Sequence, residues 1–380
     1  MPTKIATVHV TDYQAASVDH GLAEALQIIG GWNRFIQPND KVLIKPNLLE
    51  AVSPHKAATT HPAVVQSIIR AVKACGAIPC VGDSPGVHST YTAAKKAGIL
   101  AICEAENVPL LAFDHTNTYS CPQGVIVKSF NLAAELKQVD KVISVAKMKT
   151  HSFMGVTGTV KNLFGCFIGT DKAQFHLRMQ KHADFAKMLV DLYSVVKPTL
   201  NIVDGIIAME GTGPRNGTPI SANLLFAGSN GFAVDLVMAN RMGFTAEQLP
   251  VAAAAINVGA SPRLQDIIVE GSGKDIYYHF KRPPNHSSLQ ETWVPSWLLD
   301  LAQKQLTALP IITDKCIACG RCAKHCPPQA ITIANNRATI NTTACIRCYC
   351  CQEFCPANAV MLRDGTLLKL GKWLHTKTTK

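Results

Sequence analysis

The chain has 380 residues, 47% hydrophobic and 17% charged, with a formal net charge of +11. At about 150 residues per domain, that length predicts two or three ordinary globular domains. The positive balance raises the question of nucleic acid, but no basic helix with interleaved aromatics and no known binding motif accompanies it. No nucleic acid partner is expected.

Residues 3–10 (TKIATVHV) alternate like a strand and 17–30 read as a helix. This start lacks a charged segment followed by an apolar run, so it is not read as a secretory signal. The turn Pro38-Asn39-Asp40 leads into a strand at 41–45 (KVLIK) that ends in Lys45-Pro46-Asn47. A helix then starts at Thr60-His61-Pro62, with proline at its first turn, and stops at Gly76. Residues 77–83 (AIPCVGD) form a buried strand closing on Asp83-Ser84-Pro85-Gly86; helices near 89–97 and 99–106 and a strand at 108–113 follow.

The same grammar repeats. KVISVAK (141–147) is an apolar strand running into Lys-Met-Lys-Thr-His, followed by the glycine-bearing GVTGTVKNLFGC. An amphipathic helix is expected at 183–196, strands at 199–205 and 223–228, and helices at 231–242 and 246–258. Alternating strand and helix predicts an α/β domain over 1–280, with a mainly parallel sheet and helices on both faces. The unbroken apolar strands fit a sheet covered on both sides.

Residues 281–308 read as a Pro- and Ser-rich linker ending in a short amphipathic helix from about 297. That helix carries Trp297, Leu298, Leu301 and Leu306, and it is expected to dock on the α/β domain. No apolar run reaches the ~18 residues of a membrane span, so none is expected.

A small α+β domain is expected over 309–365, before a basic tail at 366–380. Nine of the 14 cysteines follow residue 310. They read CIACGRCAKHCP and CIRCYCCQEFCP, each spaced C-x2-C-x2-C-x3-C-P. Three cysteines three residues apart in a tight turn face three irons of one cube, and Pro327 and Pro356 redirect the chain. Zinc knuckles need two C-x2-C pairs instead. The spacing is that of the bacterial dicluster ferredoxin, in which each run's fourth cysteine serves the other cluster. It predicts two [4Fe–4S] clusters, one on Cys316, Cys319, Cys322 and Cys355 and one on Cys345, Cys348, Cys351 and Cys326. Cys350 is out of register and reads as a non-ligand beside the cluster. The stretch AITIANNRATI between the runs reads as a hairpin turning at Asn335-Asn336.

The other five cysteines (Cys75, Cys80, Cys103, Cys121, Cys166) are scattered and read as reduced core thiols. A reducing, cytoplasmic setting is the expectation.

A second site is legible at the strand ends. In open α/β sheets, ligands bind outside the carboxyl ends of the strands. There the sequence places Lys45 and Asn47, Asp83, Lys147, Lys149 and His151, and Asp204 with Glu210; KNLFGC adds Lys161 and Asn162. Lys172, His176 and His182 come next. Lysines crowded in one crevice repel unless an anion or their own carboxylates relieve them. The expectation is a bound small anion on Lys45, Lys147, Lys149 and Lys161. His151 would be the proton donor, and Asp204 and Glu210 would orient those groups or hold a cation. GTGPRNG could add backbone N–H groups to an anion nest. It is not a dinucleotide fingerprint, and GSGKD is not a phosphate-binding P-loop.

KVLIKPNLL, TTHP, GDSPG, KMKTH, TGTVKNLFGC, VDGIIAMEGTGP and Ala233 to Asp235 recur in one order. Together they resemble the family catalogued as domain of unknown function 362, over roughly residues 3–270. Many members are similar to this chain in carrying a dicluster ferredoxin module. The resemblance implies that these polar motifs form one site. The expected protein is a ferredoxin-type oxidoreductase acting on an anionic small molecule; the alternative is a non-catalytic electron carrier or maturation partner. A redox partner protein or a small anionic ligand is expected.

Overall fold

A computed structural model describes residues 2–86, 88–169, 171–179, 181–283 and 308–363. The expected amphipathic helix, all but its last residue, and the basic tail lie outside the described residues.

The large module runs β1 (Thr3–His9), α1 (Ala15–Ile28), β2 (Lys41–Pro46), α2 (Pro62–Ala74), β3 (Ile78–Asp83), α3 (Thr90–Lys96), α4 (Ile99–Ala105), β4 (Leu110–Ala112), β5 (Thr116–Ser120) and β6 (Ser129–Ala133). It continues through β7 (Lys141–His151), β8 (Gly155–Thr157), α5 (Thr159–Asn162), α6 (Asp171–Arg178), α7 (His182–Val196), β9 (Leu200–Glu210), β10 (Thr218–Gly228), α8 (Gly231–Arg241), α9 (Pro250–Asn257) and β11 (Ile267–Glu270).

The main sheet is ordered β11-β1-β10-β9-β7-β2-β3-β4, with β8 paired to β7. Along that order every pairing is parallel except those of β10, which runs against β1 and β9. The fold is therefore α/β with a mainly parallel mixed sheet. Side chains alternate across a strand, so neighbours enter opposite cores. Ala6, Val145, Ile202 and Leu225 pack under α1, α2 and α4. Ile5, Ala146, Val203 and Phe226 pack under α8. Both faces are covered, which is why the strands read as continuous apolar runs. The start of α2 follows the sequence: His61 caps it, accepting from Ala63 N through Nδ1, and Pro62 opens it.

Three strands are longer than their apolar runs. β7, β9 and β10 each span 11 residues. The ends of β9 and β10 pair with each other as an antiparallel ribbon, Glu210 opposite Thr218. The hairpin β5–β6 and the edge strand β11 have no counterpart in the sequence reading, because each is a short run without a long alternating pattern.

The small module holds β12 (Leu309–Ile312), α10 (Arg321–Lys324), β13 (Ile331–Ala334), β14 (Arg337–Ile340), α11 (Cys350–Phe354) and β15 (Val360–Arg363). β13 and β14 form the expected hairpin, and both turn residues, Asn335 and Asn336, adopt positive φ near 50°. A two-residue turn of that kind matches the right-handed strand twist, and asparagine tolerates it.

Candidate functional site

The strand ends and the small module line one cavity of about 90 Å³. Asn47 and Leu48 come from beyond β2, Asp83 from β3, Lys149 and His151 from β7, Lys161 and Asn162 from α5, and Lys172 and His176 from α6. Pro214 closes one wall, and Cys350 and Phe354 of α11 close another. The lining brings three lysines against one carboxylate.

The floor is a web of buried bonds. Lys45 Nζ donates to Asp83 Oδ1 at 2.6 Å, and Asp83 Oδ2 accepts from Leu48 N at 2.7 Å. Asn162 Nδ2 donates to Lys45 O and to Ser144 Oγ. Gly165 is required here, since a Cβ would lie 2.1 Å from Asp83 Oδ1. Lys149 Nζ donates to Asn47 Oδ1 at 2.8 Å and to Ala58 O at 2.6 Å. Arg215 pairs with Glu50 within the same buried region. Burial holds Glu50 above the usual carboxylate range, and Arg215 and then Lys149 pull it back down.

His151 Nδ1 accepts from Phe153 N (3.0 Å) and Met154 N (3.2 Å). The neutral ring then carries its proton on Nε2, so the residue is set as a hydrogen-bond donor. His176 is walled by aromatics and stacks on Phe185 with ring centroids 4.7 Å apart. Lys161 Nζ lies 4.7 Å from the Phe164 ring centroid, a cation–π distance. The helix carrying Lys161 and Asn162 is anchored by Asp235, which accepts from Thr159 N at 2.6 Å and Val160 N at 3.0 Å. Gly158 makes room for it, since a Cβ there would lie 2.2 Å from Asp235 Oδ1.

Lys172 Nζ reaches Ser84 Oγ at 3.1 Å and Pro85 O at 3.3 Å. Burial pushes it down from 10.5 to about 8, while Asp83 raises it and Lys45 lowers it further. Two opposite pH trends follow. Above about pH 8 the native state has lost a proton that the unfolded chain keeps up to the ordinary lysine value. Stability without ligand is therefore expected to rise with pH in that window. Affinity for an anion in the cavity should fall there, because one positive charge is gone. Urea midpoints and phosphate titrations from pH 7 to 10 check both trends, and Lys172→Met should flatten them.

Lys45, expected on the anion, is buried in its pair with Asp83 and does not line the cavity, and three further expected site residues stand elsewhere. Lys147 and Asp204 form their own pair at 2.8 Å, with side-chain exposures of 1% and 0%. Tyr13 OH bridges them, and His61 N also donates to Asp204. Buried opposite charges at register partners satisfy each other, so neither lines the cavity and Asp204 is not set to hold a cation. Glu210 pairs with Lys281 instead. The GTGPRNG loop is not an anion nest in its first residues, because Gly211 N and Gly213 N donate within the protein, to Lys281 O and Gly211 O. Burial holds His182 at about 4, with His151 adding to the effect, and it does not line the cavity.

Sequence reasoning missed the walls. Leu48, Leu49, Phe164 and Pro214 carry no chemical signature. Cys350 and Phe354 come from 199 and 203 residues further along the chain than His151, in another module. The one signal was Cys350 itself, a cysteine out of register; it is buried and faces the cavity.

In the small module, Cys316, Cys319, Cys322 and Cys355 line one chamber with apolar walls. Cys326, Cys345, Cys348 and Cys351 interact electrostatically with one another. Backbone N–H groups of Ala338, Ala330 and Ala359 donate to Cys316, Cys326 and Cys355 Sγ. Four thiols lining one apolar chamber are the soft donors an iron–sulfur cluster takes. The donor set fits iron–sulfur ligation.

Comparison with known proteins defines the class. Residues 309–356 match the 4Fe-4S dicluster domain, which makes the chain an iron–sulfur protein of the electron-carrier type. Residues 42–240 match the family described as Domain of unknown function (DUF362), and the chain belongs to that family. It is 34% identical over 271 residues to the thylakoid-associated protein sll1697 of Synechocystis sp. (strain ATCC 27184 / PCC 6803 / Kazusa), covering 70% of this chain and 83% of that protein. No helix among the described residues is long and apolar enough to cross a membrane.

Proposed function

We propose that the chain exchanges single electrons with a small anionic molecule held in the cavity between its two modules. Cys316, Cys319, Cys322 and Cys355 would hold one [4Fe–4S] cluster and Cys326, Cys345, Cys348 and Cys351 the other. When bound, such clusters supply one-electron transfer. The observation that carries the reading is α11: it walls the cavity with Cys350 and Phe354 and also contains Cys351. A plain carrier needs no such junction with a ligand pocket, which favours the oxidoreductase over the alternative.

Within the cavity, Lys149, Lys161 and Lys172 bind the anion, and His151 Nε2–H donates to it. Asn47 and Asn162 hold these groups in place, and Lys45 with Asp83 braces the floor. A pocket lined by three lysines concentrates an anion, and its partly buried setting strengthens each contact.

Lys149→Ala tests this. In the wild type, inorganic phosphate and a panel of small carboxylates should include members that raise the melting temperature. The variant should lose about tenfold or more in affinity for those members, consistent with a buried charge-assisted bond. An unchanged shift would remove the cavity from the proposal.

A further inference from the structure

The cavity has two kinds of wall. Its cations, Lys149, Lys161 and Lys172, come from β7, α5 and α6. Its apolar lining comes from the loop after β2 (Leu48, Leu49), the turn after α5 (Phe164), the loop between β9 and β10 (Pro214) and α11 (Phe354). A compact inorganic anion such as phosphate is satisfied by charge-assisted donors around it, and the apolar walls supply none. Volume points the same way. At about 10–15 Å³ for each water seated, a cavity of about 90 Å³ takes about six or more. Phosphate and acetate underfill that space and leave the apolar walls wet.

The Phe354 ring is set in place. It stacks on His325 with ring centroids 4.3 Å apart and planes 21° from parallel. At its edge stands Gly86, where a Cβ would come within 3.3 Å of Cε1. A buried ring held this way keeps one orientation in the wall, and aromatic rings favour a flat π-system over a puckered ring. Phe354 is also the neighbour of Cys355 and lies three residues from Cys351, so the aromatic wall is continuous with the expected cluster ligands.

We infer that the cavity takes a small, flat, conjugated carboxylate, with its charge on the lysines and its π-system against Phe354. The inference rests on the reading of the cavity as an anion site that exchanges single electrons, and it names the ligand's class. The exchange moves one electron between the small module and the ligand, with no bond made or broken. An electron gained by the ligand stays there unpaired. A conjugated system delocalises it, and a saturated carboxylate or phosphate does not. The negative charge that comes with it is met by the lysines.

The test uses the cluster-loaded full chain under anaerobic conditions, in isothermal titration calorimetry. Benzoate and cyclohexanecarboxylate are the probes, since they match in charge and heavy-atom count and differ in flatness and conjugation. Acetate and inorganic phosphate are the small references. Benzoate is expected to bind at least about threefold more tightly than cyclohexanecarboxylate, the scale of one aromatic contact. It should bind at least about tenfold more tightly than either reference, through the added apolar burial. Phe354→Leu should bring the ratio between the two probes to about one, whereas Lys149→Ala should weaken both and keep their ratio. Iron content is measured for each variant. If Phe354→Leu, beside Cys355, loses iron, Leu49→Asn in the large module decides, by narrowing the gap between benzoate and acetate. Binding of no probe and no reference would remove the anion site, and this inference with it. Anion binding in which phosphate or cyclohexanecarboxylate matches benzoate would overturn this inference and leave the anion site standing, as would an unchanged ratio in iron-replete Phe354→Leu.

Discussion

Cys319→Ala is expected to lower iron from about eight to about four atoms per chain and to disturb the remaining cluster. Cys319 is the exposed member of its quartet, so little packing is lost with it, and the change reports ligation. The chamber it lines is otherwise apolar, with Ile312, Ala338 and Val360 among its walls. A cluster held there would tie β12, β14 and β15 together, because metal binding and folding of a small module are one equilibrium. Cys350→Ala is the matched control. It should leave iron unchanged, since Cys350 is out of register and faces the cavity between the modules. Iron and acid-labile sulfide analysis of both variants checks the pair. Iron near eight in Cys319→Ala, or half lost in Cys350→Ala, would require a different ligand register.

Asp204→Asn should be strongly destabilising, by about 3–5 kcal/mol. Asp204 accepts from Tyr13 OH, His61 N and Lys147 Nζ. Burial pushes Lys147 down from the ordinary lysine value and Asp204 holds it up. Removing the carboxylate leaves a buried ammonium without its counter-charge. The double change Lys147→Met with Asp204→Leu should recover only part of the loss, because it removes both charges but leaves Tyr13 OH and His61 N without their acceptor. Urea midpoints of the three variants test this. A loss below about 1 kcal/mol in Asp204→Asn would mean that water reaches the pair. The same measurements separate a structural pair from a ligand pair, since the double variant should keep its anion-dependent thermal shift.

The cysteine runs show what spacing alone can carry. Ligation by neighbours in a turn is a local matter, so C-x2-C-x2-C-x3-C-P was readable without any fold. The asparagine turn at 335–336 and the proline start of α2 were legible for the same reason, since each depends on backbone preferences of adjacent residues. The strand ends were legible as a set, because a parallel sheet puts all its carboxyl ends on one edge. Their division of labour was not. Lys45, Lys147 and Lys149 look alike in sequence, yet Lys147 stands opposite Asp204 in the sheet register, Lys45 meets Asp83 across β2 and β3, and Lys149 reaches the cavity.

By itself, then, the sequence determined the alternation of strand and helix, the dicluster cysteine spacing and the edge on which the polar motifs gather. Those features depend on residues a few positions apart and on periodicity. Tertiary structure alone decided which lysines are consumed by internal carboxylates and that α11 forms a wall of the cavity. It also decided that Cys319 alone of the eight expected ligands is exposed. These are contacts between side chains far apart in the chain, and their energies depend on burial and register, which arise only when the sheet and the two modules are assembled.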